Sequence, residues 1–341
     1  MAPSTIVPQI PLRKDGPLVS RIIYGTWHLT GVGNDTSLAT AENVLERIRA
    51  CLECGITTFD LSDLYGFYEF ERLFGDALKL EPGIRRRIQM YVKALLLLLF
   101  PSLRVEVFIH DLNFLSITKT DIVKPCAVKP NVYIKHYNTD EDYILSQVNK
   151  SLENLGTDYI DILLLHRQDM LMDADEVARA FTQLYAENKV RHFGGSNFTL
   201  EHFKLLQSRL EFPLVTNQFE ISIFEMSALT DDRLDFFQRK RIAPMAYSPL
   251  GSGRLFKKDT SDPQTLRLQH TLASIASRLG RDVTIDQVCY AWLLRHPARI
   301  CPVIGTTSVE RIRKAAASVK ITLDRQQWTE IWVASAGTMV P

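Results

Sequence analysis

Eight short β-type runs, each followed by a helical pattern, set the tightest limit on what this 341-residue chain can fold into. The strand candidates are Ile22–Gly25, Thr57–Asp60, a run ending at Lys93 or Lys119, Ile160–His166, Arg191–Ser196, Val215–Gln218, Ile242–Tyr247 and Cys301–Ile304. Helical patterns are expected at Ala39–Glu53, Glu69–Leu80, Thr139–Leu155, Ala174–Glu187, Thr199–Arg209, Ala228–Lys240, Thr284–Arg295 and Ser308–Ser318. Thr139 and Thr199 are expected to cap their helices, each with a first-turn carboxylate, Asp140 and Glu201. The run IDILLL at 160–165 is almost wholly apolar, as a strand covered on both faces must be. Strict alternation implies a parallel sheet, and eight units predict a closed (β/α)8 TIM barrel, one domain spanning 1–341. An N-terminal arm precedes the repeat. Extra helices are expected at Pro263–Gly280 and, at the C-terminus, Asp324–Ala336.

Charge and cysteine usage exclude several classes. Lys plus Arg is 40 and Asp plus Glu is 39, so no net field favours nucleic acid or an anionic membrane. The cluster Arg85–Arg87 reads as a solvated helix end. Five scattered cysteines, an odd number, argue against a disulfide framework and for a reducing, cytoplasmic setting. Cys51-x-x-Cys54 sits in a helical pattern without a second Cys/His pair, so it reads as structural and no metal is expected. The N-terminal stretch lacks the apolar core of a signal peptide. Ala94–Phe100 is far shorter than the roughly 20 apolar residues a membrane span needs. The expected partner is a small molecule, and the expected state a monomer or weak oligomer.

In a barrel of this type chemistry gathers where the strands end at the C-terminal face. The candidate strand ends carry Asp60, a lysine, His166, Ser196-Asn197, Gln218 and Tyr247-Ser248, with Tyr65 five residues past Asp60 in the same loop. Each has a bland reading alone; together, on one rim, they read as a site.

The segments FDLSDLYG (59–66), LGTDYIDILLLHR (155–167), KVRHFGGSNF (189–198), NQFEIS (217–222), AYSPLGSGRLF (246–256) and PVIGTTSVERIRKA (302–315) resemble the aldo-keto reductases. The resemblance runs from about Ile22 to Val319 and is nearest to the YdhF-type branch of bacterial oxidoreductases. It implies a catalytic tetrad of Asp60, Tyr65, a lysine on strand three and His166. A phenol with an ordinary pKa near 10 is a weak acid at pH 7. In the tetrad the lysine would ease its ionisation, Asp60 would hold the lysine charged, and His166 would orient a carbonyl oxygen.

The resemblance also implies NADP(H) as cofactor. Ser196, Asn197 and Gln218 would hold the nicotinamide amide, with Tyr247 stacked on the ring. Ser248, Leu250, Gly251 and Gly253 would form the loop over the pyrophosphate. Gly305 and Thr306 would approach the adenosine phosphate, and Arg311 would fork onto the 2′-phosphate. The Lys or Arg usual before that last loop is replaced here by Gly305, a gap that Arg254 is expected to fill. Trp27, Phe67 and Tyr68 are expected to line the entrance, suiting an apolar or sugar-like carbonyl compound. The implied function is reduction of aldehydes or ketones to alcohols, or the reverse. The alternatives are a non-catalytic cofactor-binding barrel that acts as a regulatory subunit, and an inactive product of an unspliced transcript.

That last alternative comes from residues 88–119, which hold two strand-like runs ending in lysine, Ile88–Lys93 and Ser116–Lys119. Ile88 to Lys93 has the spacing of the resembled family, but the residues after Lys119 read as the loop expected beyond the strand. A coding sequence for Met90–Ser116 can carry a 5′ splice signal, a branch point and a terminal AG. Its removal joins the flanks through a single isoleucine. Residues 90–116 are therefore expected to be a retained intron translated in frame, inserted before or in strand three. A genuine insertion is the alternative. Lys119 is the expected catalytic lysine, with Lys93 as competitor.

Overall fold

The computed structural model describes residues 7–30, 38–84 and 115–340. The Arg85–Arg87 cluster, the competing run Ile88–Lys93, the apolar run Ala94–Phe100 and most of the expected insertion lie outside the described residues.

Among the described residues eight parallel strands close into a barrel in chain order. They are β1 (Ile23–Gly25), β2 (Thr58–Asp60), β3 (Leu115–Thr120), β4 (Ile160–Leu165), β5 (Val190–Ser196), β6 (Leu214–Glu220), β7 (Met245–Tyr247) and β8 (Cys301–Ile304). The helices are α1 (Ala41–Glu53), α2 (Phe70–Lys79), α3 (Glu141–Leu155), α4 (Ala174–Ala186), α5 (Leu200–Gln207), α6 (Arg233–Lys240), α7 (Pro263–Leu279), α8 (Ile285–Leu294), α9 (Val309–Ala317) and α10 (Arg325–Ala336). This is the (β/α)8 barrel that the alternation predicts, with α7 and α10 as the additional helices.

Side chains alternate across each strand with period two, and this decides what reaches the site. In β3, Leu115 and Ile117 belong to the barrel interior with Ile162 and Leu164 of β4. Lys119 and His166 continue those two inward-facing rows at the C-terminal end. The outward face of β3 meets the helix layer, where Thr118 donates to Glu71 of α2 and Thr120 to Asp63. The last two residues of the expected insertion, Leu115 and Ser116, are part of this strand. Ser116 pairs with Phe59 and hydrogen-bonds Asp161 through both its amide and its hydroxyl.

The opposite mouth is plugged by an antiparallel hairpin, Gln9–Pro11 with Leu18–Ser20. Leu12 and Val19 fill the barrel floor, and Leu12 accepts a 2.6 Å hydrogen bond from the Ala243 amide. The C-terminal helix is fixed by a reciprocal contact. Trp292 of α8 and Trp328 of α10 stack at 5.0 Å, and each indole N–H donates to the other's backbone carbonyl at 3.1 Å.

Two local expectations need correction. Thr199 caps α5 by accepting from the His202 amide, but Thr139 does not cap α3. Asp140 is the capping position there, and the Thr139 hydroxyl donates to Asp169 instead, at 2.9 Å. The helix expected over Ala228–Lys240 is split into a short 3-10 turn, Ser227–Leu229, and α6. Asp232 between them takes φ 67°, a left-handed conformation that ends the first turn before the second helix starts.

Candidate active site

The C-terminal rim brings together the side chains expected there. Asp60 ends β2 and Lys119 stands one residue from the end of β3; the Lys119 Nζ lies 2.6 Å from Asp60 Oδ1, with exposures of 0% and 4%. An ammonium this deeply buried needs a partner, and the carboxylate is it. Gln218 of β6 donates to the same oxygen at 3.0 Å. Burial pushes the Lys119 pKa down, and Asp60 opposes that.

Tyr65 is set by the turn after β2. Its ring lies edge-on to Trp27 at 4.9 Å and to His166 at 5.8 Å, and Lys119 Nζ is 5.1 Å from its centre. Burial, and then the charge of Asp60, push the phenol well above its ordinary value. The hydroxyl has no hydrogen-bond partner among the described residues. His166 follows β4 and is held well below its ordinary pKa by burial, with Lys119, Arg167 and Lys135 adding to the effect, so its ring is neutral at pH 7. The Ser62 hydroxyl lies 3.1 Å from its Nδ1.

On the far side of the mouth Asn197 takes φ 59° and Ser248 φ 49°, left-handed conformations rarely kept without a constraint. The Asn197 amide supplies one. It donates to the His166 carbonyl and the Ser196 hydroxyl, both at 3.0 Å, and accepts from the Tyr247 hydroxyl at 2.8 Å. Gly251 and Gly253 adopt φ 61° and 85° in the turn after β7, and Leu250 packs back against the core. Phe224 lies against Gly251, where any side chain would collide with it. Arg254 pairs with Asp262 at 3.0 Å, bonds Gln264 and lies over the Phe224 ring, with its side chain still part-exposed. The Thr306 carbonyl accepts from the Tyr24 hydroxyl at 2.9 Å. Arg311 is exposed at the start of α9, over Phe256.

Trp27 and Phe67 are 56% and 57% exposed. Tyr68 is part-buried, its hydroxyl donating to the Ile122 carbonyl and accepting from the Lys124 amide in the loop after β3. Among the described residues, no three His, Cys, Asp or Glu side chains gather closely enough to hold a metal ion. Cys51 lies buried on α1, and Cys54 is buried at its end.

The sequence alone did not single out the buried acids behind the tetrad. Asp63 is raised to about 6 and Glu71 to about 7, chiefly by burial, and Asp121 is raised well above its usual range. Their signal was available in part, since Ser62 and Asp63 lie inside the FDLSDLYG segment.

The aldo/keto reductase family pattern matches residues 21–335. The chain belongs to that family. It is 42% identical over 336 residues to the oxidoreductase YdhF of Escherichia coli strain K12, covering 98% of this chain and 100% of that protein. It is 39% identical over 324 residues to a 6-dehydroglucose reductase of Agrobacterium fabrum, covering 94% and 96%. Among solved structures, the barrel superposes on the glycerol dehydrogenase of Gluconobacter oxydans with TM-score 0.75. The identity is 21%, and 100% and 98% of the two chains are covered. A Klebsiella pneumoniae aldo/keto reductase in complex with NADP and acetate matches with TM-score 0.68 at 21% identity, covering 96% and 94%.

Proposed function

We propose that this protein is an NADP(H)-dependent oxidoreductase that reduces an aldehyde or ketone to its alcohol, or runs the reverse, with Tyr65 as general acid and base. The observation that carries this reading is the convergence of Asp60, Tyr65, Lys119 and His166 at one barrel mouth, with the ammonium locked by the carboxylate. Carbonyl reduction needs a hydride at carbon and a proton at oxygen; NADPH, when bound, supplies the hydride. Tyr65 keeps its proton at pH 7 and can give it to the stronger base, a developing alkoxide. Lys119 then offsets the negative charge left on the phenolate. His166, being neutral, can direct an N–H at the carbonyl oxygen without competing for the proton.

The residues present fit a nicotinamide amide. Asn197 spends both side-chain N–H groups within the protein, and Gln218 turns its own toward Asp60 and the Met245 sulfur. Among the described residues, what remains is the Ser196 hydroxyl proton, the Gln218 carbonyl oxygen and a lone pair on Asn197. One donor and two acceptors complement a carboxamide's one acceptor and two N–H donors. At the other end Gly253 has no atom within 4 Å of where a Cβ would sit, and Gly305 meets only His28, at 3.7 Å. That leaves room for phosphate beside the exposed Arg311. The name of the Agrobacterium relative supports a sugar-like carbonyl compound as substrate. All five cysteines are unpaired, which supports a cytoplasmic setting, and we take the working state to be a monomer or weak oligomer.

Two measurements test the reading: a carbonyl panel followed by NADPH oxidation, and cofactor titration of Arg311→Ala. The substitution should weaken NADPH binding by roughly 1.5–3 kcal/mol, the contribution of a charged hydrogen bond, and leave NADH nearly unaffected. Equal losses for both cofactors would show that Arg311 does not read the 2′-phosphate.

A further inference from the structure

Ser62 sits between Asp60 and Tyr65 and is completely buried. Its oxygen accepts the Leu64 N–H at 3.3 Å and stands near three acceptors. These are His166 Nδ1 at 3.1 Å, the Lys119 carbonyl at 3.2 Å and Asp63 Oδ1 at 3.3 Å. A hydroxyl has one proton, so only one of the three receives it. The Lys119 carbonyl already accepts the Asp63 N–H at 3.1 Å, and the Asp63 carboxyl takes the Thr120 hydroxyl on its other oxygen, Oδ2, at 2.9 Å. Nδ1 is the nearest of the three, and neither ring nitrogen of His166 has another hydrogen-bond partner among the described residues.

A neutral imidazole carries one N–H, so the bond made at one nitrogen decides what the other offers. If Ser62 donates to Nδ1, the ring proton sits on Nε2. If Ser62 accepts, Nε2 is a bare lone pair and repels a carbonyl oxygen. We propose that Ser62 is a positioning residue: its hydroxyl donates to Nδ1 and holds His166 as the Nε2–H tautomer, so that the ring presents a neutral donor beside Tyr65. The use of that donor rests on the carbonyl-reduction reading above; the tautomer does not.

The test is therefore made first without turnover. Two-bond 1H–15N spectra of the full-length protein with labelled histidine, assigned through His166→Gln, report which ring nitrogen carries the proton. The wild type and Ser62→Thr are expected to show Nε2–H, and Ser62→Ala to show Nδ1–H or a mixture. With a carbonyl substrate, Ser62→Ala should lower kcat on the order of tenfold or more, as for a lost transition-state donor. The KM for NADPH should hold, and Ser62→Thr should restore most of the rate. An Nδ1–H ring in the wild type, or an unchanged Nε2–H ring in Ser62→Ala with or without a loss of rate, overturns the proposal. If no form of the protein reduces a carbonyl, the functional reading fails, and the spectra alone decide whether Ser62 sets the tautomer.

Discussion

Replacing Lys119 with methionine keeps the volume of a fully buried side chain and removes its charge. Asp60, 4% exposed, would then keep Gln218, at 3.0 Å, as its one remaining side-chain partner among the described residues. Deleting one member of a buried ion pair typically destabilises by about 3–5 kcal/mol, because the charge left behind is uncompensated. For a chain of this size that corresponds to a fall in Tm of roughly 4–7 °C. The assay is thermal and urea unfolding followed by circular dichroism. The double variant Asp60→Asn, Lys119→Met removes both charges, so it should recover at least about 2 kcal/mol over Lys119→Met alone. A Lys119→Met protein within about 1 kcal/mol of wild type, or no recovery in the double variant, would refute the pairing. If instead Lys93→Met carried the loss, the partner of Asp60 would be Lys93 and strand three would be Ile88–Lys93.

Two further outcomes concern a buried acid and the anomalous segment. Glu71 is raised to about 7 by burial, so its contribution is fully present below about pH 4.5 and is lost as pH rises through 7. Glu71→Gln keeps an acceptor for Thr118 and should flatten stability between pH 5 and 8, gaining roughly 3 kcal/mol over wild type at the alkaline end. An unchanged pH profile would show that Glu71 is not held neutral. Replacing Met90–Ser116 with one isoleucine, the product expected if the segment is a retained intron, should raise soluble yield by removing an apolar run. The strand would keep the backbone N–H that reaches Asp161 and lose only the Ser116 hydroxyl contact, about 1 kcal/mol; loss of soluble protein would show that the segment belongs to the fold.

The barrel was legible because its signal is repeated and local. Most of the strand runs end in polar residues that gather at one rim, and IDILLL reads as a strand covered on both faces. The placement of β3 was legible from the loop-like residues after Lys119 rather than from the strand itself. Other features depend on packing and were not legible. The Thr139 hydroxyl prefers Asp169 on a neighbouring loop to its own helix, and nothing within a few residues of Thr139 reveals that. The partners of Arg254, Asp262 and Gln264, lie 8 and 10 residues on, at the start of α7, and no local pattern announces them. Ser62 was passed over because a serine in a loop has no special pattern; it matters only once folding brings His166 beside it.

The central claim is that Tyr65 gives the proton in carbonyl reduction while the rest of the barrel mouth binds and orients. It is tested most directly by comparing wild type and Tyr65→Phe for single-turnover oxidation of bound NADPH by an aldehyde, alongside NADPH titration of both. Removing a general acid should slow the chemical step by about 10²–10⁴-fold and leave NADPH affinity nearly unchanged, since the phenol holds no part of the cofactor. Turnover by Tyr65→Phe within about threefold of wild type would contradict the account.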